Sequence, residues 1–297
     1  MSRSLAVKRP RQSVVFRAAI APPVEALVRA DPHLRVRDDA ESVHAARVAT
    51  RKLRSDLRLF RPLLEPTWAA EVRACLKRLA SLLGAVRDAD VLTARVGAIA
   101  SRLPAEHVAA VASMLERLRG ARATADDALR LQLSAFWYIN LLQTLIAAAQ
   151  DVDGACLTAR NDRVRARKFV ARVMRPTWKR LKAAVRRARH ETDGTRLHRI
   201  RIRAKACRYA AEAIGPFVPE SRRDRFVRFV HHIAQLQEQL GNVHDAALDQ
   251  AALRALTGVD AAVVDEIVER ESAAAAAAQA AWRTIWKKLS CRRSRFW

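Results

Sequence analysis

The chain is short of the residues that build β-rich, disulfide-stapled or metal-clustered proteins. Its 297 residues include only 8 glycines, 10 prolines and 4 cysteines. Few turn formers, and no sustained period-two alternation between turn signals, exclude a hairpin-built sheet, so the expected fold is all-α. Cys75, Cys156, Cys207 and Cys291 are widely spaced and form no CxxC pair. That excludes a disulfide framework and a cysteine zinc site, and the expected setting is cytoplasmic, with reduced thiols. Near the amino terminus the apolar stretch is broken by Arg17, Pro22, Pro23 and Glu25, so no signal peptide is read there. The longest apolar run, around 135–149, contains Asn140, Gln143 and Thr144. It is too short and too polar to span a bilayer and is expected to be a buried helix.

Catalytic signatures are missing as well. The sequence has no glycine-rich phosphate loop, no GxSxG turn and no pair of carboxylates beside a plausible nucleophile. The HxxxH spacing of zinc hydrolases is absent, and acidic residues are too scattered for a Mg²⁺ cage. The expectation is a binding protein without enzymatic activity, cofactor or metal.

Positive charge is abundant. Lysine plus arginine number 55 against 30 aspartates and glutamates, a net charge of +25. Residues 1–150 hold 24 basic and 14 acidic groups and residues 151–297 hold 31 and 16, so the excess is not a detachable tail. Such a field concentrates polyanions at the surface. Nucleic acid, anionic membrane and inorganic polyphosphate are all compatible with charge alone.

The charge is patterned. VHAARVATRKLR (43–54) and LHRIRIRAKACR (197–208) each place basic residues three, seven and ten positions after a histidine. The sets are His44, Arg47, Arg51, Arg54 and His198, Arg201, Lys205, Arg208. At about 100° per residue, the four positions of each set fall within roughly 80° on a helix. The first stripe continues to Arg58, with Ala46, Ala49, Leu53, Leu57 and Phe60 on the opposite side. A third stripe follows in 163–189, which has 12 basic residues and no acidic one. Arg165, Lys168, Arg172, Arg175, Lys179, Lys182 and Arg186 step by three and four, and Pro176 is expected to kink or divide that helix. Like charges at these spacings cost only about 0.2–0.5 kcal/mol per pair, so one stripe fits a solvated face. Three unmixed stripes point to anion binding. His44 and His198 lie among arginines, without Cys, Asp or His at ligand spacing, which favours phosphate or carbonyl partners over metal.

The duplication reaches further. LASLLGAVRDAD (79–90) aligns with LQEQLGNVHDAA (236–247), pairing Gly84 with Gly241 and Asp88 with Asp245. The expected organisation is two helical bundles, over 12–150 and 158–290. Helices are predicted at 41–61, 67–83, 105–132, 135–150, 195–214, 220–240 and 260–289. Gly84 and Gly241 suit the left-handed residue after a helix, and Asp88 and Asp245 suit N-caps or partners for stripe arginines. The first dozen residues and the final CRRSRFW are predicted to be frayed.

With these motifs in order over nearly the whole chain, the sequence resembles the CHAD family, the conserved histidine α-helical domain. The resemblance implies two bundles related by a pseudo-two-fold axis with a basic groove between them. It also implies binding of inorganic polyphosphate, often at polyphosphate granules. The residues carried over are His44, Arg47, Arg51, Lys52 and Arg54, with His198, Arg201, Lys205 and Arg208. Ala206 stands where the first half has Lys52, so a lopsided site is expected. The first stripe and the helix carrying Arg165, Lys168, Arg172, Arg175 and Lys179 are expected to supply much of the binding. Arg203 points about 140° away from His198 on the same helix. Two rival partners fit the charge: nucleic acid, though only 2 tyrosines and no base-reading module are present, and an acidic protein gripped by the stripes.

Overall fold

The computed structural model describes residues 11–36, 40–101, 105–150, 156–158, 166–188, 194–254 and 261–297. In the first half, α1 (Gln12–Leu34) and α2 (Ala40–Leu59) lead through a 3₁₀ turn at Arg61–Leu63 into α3 (Pro66–Ala100) and α4 (Ala105–Leu133). The fifth helix, α5 (Phe136–Gln150), follows. The second half repeats the order: α6 (Ala166–Arg187), α7 (Gly194–Ile214), 3₁₀ turns at Gly215–Phe217 and Glu220–Arg222, α8 (Arg223–Arg254) and α9 (Ala261–Ser290). Both first turns hold a proline, Pro62 and Pro216, which sets the backbone angle and withholds a donor as each helix ends. The fold class is all-α.

Neighbours pack in chain order: α1 on α2, α2 on α3 and α3 on α4, then α6 on α7, α7 on α8 and α8 on α9. The halves meet where α2 lies against α7 and α3 against α8, with α1 also touching α7. One face of each striped helix supplies the core: Val43, Ala46, Ala49, Leu53 and Leu57 from α2, and Leu197, Ile200, Ala204, Cys207 and Ala211 from α7. This burial commits each helix to one rotation, and the basic positions are held away from the core by elimination. At the start of α3, Glu65 accepts hydrogen bonds from the backbone N–H of Trp68 (2.6 Å) and Thr67 (3.1 Å). These bonds hold its carboxyl below the usual range, chiefly through Trp68.

Three expectations are corrected. Gly84 and Asp88 lie inside α3, and Gly241 and Asp245 inside α8, so these motifs neither end nor cap a helix. A glycine inside a helix costs about 1 kcal/mol, which packing along helices of 35 and 32 residues outweighs. Pro176 does not divide α6, which runs unbroken through it. The final segment is docked: Phe296 is buried, and Trp297 meets the rings of Trp178 and Phe229 edge-on at 5.7 and 5.2 Å. Arg222 ties it down by donating to the Phe296 carbonyl at 3.0 Å. Much of this aromatic-poor chain's ring content collects at that corner. Of the first dozen residues, 1–10 lie outside the described set, while Gln12 is buried at the start of α1.

Among the described residues no single helix is long and apolar enough to cross a membrane. The apolar run at 135–149 forms α5, which buries Tyr138, Leu141 and Leu145 and packs on α1 and α3. The Tyr138 hydroxyl donates to Asp31 at 2.7 Å. Burial, then that bond, push its pKa above the usual tyrosine value.

A candidate anion-binding groove

The meeting of α2 with α7 and of α3 with α8 brings the two stripes together. Lys205 is half-buried, and its ammonium is held down to about 8, first by burial and then by the positive charges of Arg201, Arg51 and Arg47. Asp245 acts in the opposite direction. Three arginines from two halves of the chain thus bear on one lysine. Arg51, from α2, also places its guanidinium 5.9 Å from the ring centroid of Tyr209 on α7. The Nε atoms of Arg51 and Arg201 are shielded and, among the described residues, donate to no group.

The glycine–aspartate motifs frame this cluster. Arg47 Nη1 pairs with Asp88 at 3.1 Å. A Cβ on Gly84 would lie 3.2 Å from that same Nη1, so the missing side chain gives the guanidinium its path across α3. In the second half Arg201 Nη2 passes Gly241 with 4.0 Å to a would-be Cβ. Asp245, however, pairs with Arg95 of α3 at 3.0 Å. The two aspartates are therefore partners of arginines, one within its own half and one across halves. Arg95 is a member of this groove that the repeat pattern missed, because position 252, its counterpart at the 157-residue offset of these motifs, is alanine.

The groove continues past the histidines and along α8. His198 lies 5.0 Å, centroid to centroid, from His244, the residue aligned with Arg87. Burial and then the charges of Arg201 and His198 lower the pKa of His244. A pocket of about 510 Å³ is lined by Arg201, Lys205 and Arg208 with His231, Gln237 and Glu238. Arg208 is oriented there by donating to Glu212 at 2.6 Å. Among the described residues, no group of three or more His, Cys, Asp or Glu is placed to hold a metal ion.

The other predicted residues that the structure describes lie along α2 and α6. His44 is exposed and Arg54 half-exposed along α2. Lys52 acts on Asp56, whose carboxyl is 0% exposed and is pushed up to about 8 by burial, with Lys52 opposing. Lys168, Arg175 and Lys179 are exposed on α6, which packs on α7, and Arg165 lies outside the described residues. Arg58 and Arg172 line a separate pocket together with Arg203 and Ala206. The position aligned with Lys52 thus borders that second pocket.

The family model for the CHAD domain matches residues 18–254. Two uncharacterized proteins of Mycobacterium tuberculosis, from strains CDC 1551 and H37Rv, are each 34% identical over 204 residues. Those matches cover 66% of this chain and 38% of each relative, so the chain spans well under half of their length. Among solved structures, PptA from Streptomyces chartreusis superposes with a TM-score of 0.69 at 18% identity, covering 94% of this chain and 100% of that one. The CHAD domain from the plant Ricinus communis gives a TM-score of 0.64 at 23% identity, covering 99% of this chain and 92% of that one. At these identities the likeness concerns the fold.

Proposed function

The chain belongs to the CHAD domain family, and we propose that it binds inorganic polyphosphate in the groove between α2, α3, α7 and α8 without catalysing a reaction. The observation that carries this reading is the meeting of α2 with α7, which brings Arg51 over the Tyr209 ring and sets Arg201, Arg51 and Arg47 around Lys205, whose ammonium is held down to about 8 by burial and then by these charges. A cluster of that kind is relieved by an anion, and guanidinium groups give fork-shaped, charge-assisted hydrogen bonds to phosphate oxygens. The central binding residues are these four with His198 and Arg208. His44, Lys52 and Arg54 extend the path along α2. Lys168, Arg172, Arg175 and Lys179, with Arg58 and Arg165, serve longer chains that leave the groove and run over the surface.

Polyphosphate fits better than nucleic acid because the central cluster is built chiefly of cations, and the chain carries few aromatic platforms for bases. Such a protein would sit on polyphosphate granules through multivalent contact. The test is competition at physiological salt. Labelled long-chain polyphosphate should resist displacement by duplex DNA at equal phosphate concentration; equal displacement would leave a non-specific cation and sink the reading.

A further inference from the structure

Arg203, which points away from the groove, lies on the opposite face of α7 in a second cationic site. A pocket of about 720 Å³ opens between the end of α2, its 3₁₀ turn, α6 and α7. Five arginines line it: Arg58, Arg61, Arg172, Arg180 and Arg203. Among the described residues no carboxylate joins them. Arg172 is fixed in place: its Nη2 donates to Gln12 Oε1 at 2.6 Å, and its guanidinium stands 5.5 Å from the Phe169 ring centroid. Gln12 is only 5% exposed, so a buried amide is committed to aiming this arginine.

The walls between the arginines are apolar. Pro62 and Pro176 are exposed there, with Leu59, Val173 and Ala206 around them. Proline at 176 removes a helical N–H and leaves a flat, uncharged patch beside the cations. A second pocket of about 510 Å³ adjoins the first, because both are lined by Arg180 and Arg203. It continues the cationic surface with Arg187, Arg196 and Arg199. An apolar chamber therefore opens onto an arginine track through two shared guanidiniums.

We infer that this outer site binds a nucleoside polyphosphate, with the base and sugar in the proline-walled chamber and the phosphates crossing Arg180 and Arg203 toward Arg187 and Arg199. Inorganic polyphosphate has no body to place against Pro62 and Pro176, whereas a nucleotide has an aromatic one of suitable size; ligand pockets run to about 300–1,000 Å³. Apolar contact with the body and charge-assisted bonds to the phosphates act together, so the site favours the ester over a free phosphate chain of similar charge. The inference does not depend on what the central groove holds.

Calorimetric titration of the whole Arg201→Ala/Lys205→Ala protein, in which the central groove is weakened, with ATP and with inorganic tripolyphosphate tests it. ATP should bind at least about tenfold tighter than tripolyphosphate, since one apolar contact of modest area is worth a factor of that order. The double variant Arg180→Ala/Arg203→Ala, at two exposed positions, should lose ATP binding about tenfold or more. Retained long-chain polyphosphate binding would show that this variant is folded. Arg201→Ala/Lys205→Ala should leave the ATP affinity unchanged. Equal affinity for ATP and tripolyphosphate, or an Arg180→Ala/Arg203→Ala protein that binds ATP as well as the parent, would overturn the assignment.

Discussion

Lys205 is the residue on which the electrostatics of the groove can be read directly. Its pKa near 8 results first from burial and then from Arg201, Arg51 and Arg47. A bound polyanion favours the charged ammonium, so binding takes up a proton above pH 8. Polyphosphate affinity should therefore fall by roughly tenfold between pH 7 and 9, one unit past the free pKa. Lys205→Arg should flatten that profile, because a guanidinium stays charged throughout. A parent profile as flat as the variant's would remove Lys205 from the site. Asp56 makes the opposite kind of test, on stability. Its folded pKa of about 8 is raised above the ordinary 3.8, so the stability present below pH 4 is progressively lost as pH rises to 8. Asp56→Asn should raise the melting temperature at pH 7.5, by about 2–4 °C for each kcal/mol recovered. The gain should vanish near pH 4, and a gain independent of pH would point to packing instead.

Among the elements, α3 and α8 show what the sequence discloses and what it conceals. The striped helices α2 and α7 were legible because burial on one side and charge on the other leave one consistent rotation. The glycines and aspartates are legible as a repeat, and pairing with a stripe arginine is one of the two roles Asp88 suits, but the role of the glycines is not legible. Local chemistry makes Gly84 a helix end and leaves Asp88 a cap or an arginine's partner; tertiary contact makes them the floor and partner of Arg47. No local signal marks a glycine emptied for a side chain from another helix. The docking of the tail is hidden in the sequence for a related reason, since Phe296 and Trp297 find their partners, Trp178 and Phe229, more than sixty residues away. The two glycines give an asymmetric prediction. Gly84→Ala should move Arg47, whose Nη1 would stand 3.2 Å from the new Cβ, and weaken polyphosphate binding severalfold. Gly241→Ala meets its nearest atom only at 4.0 Å, so it should leave binding intact and add up to about 1 kcal/mol of helix stability. Equal effects at both positions, measured by titration and denaturant unfolding, would contradict the close-approach account.

For the whole molecule, a net charge of +25 ensures that any polyanion is attracted, so attraction alone identifies nothing. What distinguishes a site from a charged surface is that equal charges removed at different places have unequal effects. Counter-ion release makes the affinity fall with salt, and losing two phosphate contacts should lower the slope of log affinity against log salt by about 1 to 2. The groove joins residues from both halves, Arg51 from α2 and Lys205 from α7, while Arg73 and Lys77 stand exposed on α3. The direct measurement compares long-chain polyphosphate affinity in Arg51→Ala/Lys205→Ala and Arg73→Ala/Lys77→Ala, two proteins of identical net charge. The groove variant should bind about a hundredfold more weakly than the parent, as two charge-assisted bonds require, and the surface variant less than about threefold more weakly. Equal losses in the two variants would contradict the groove.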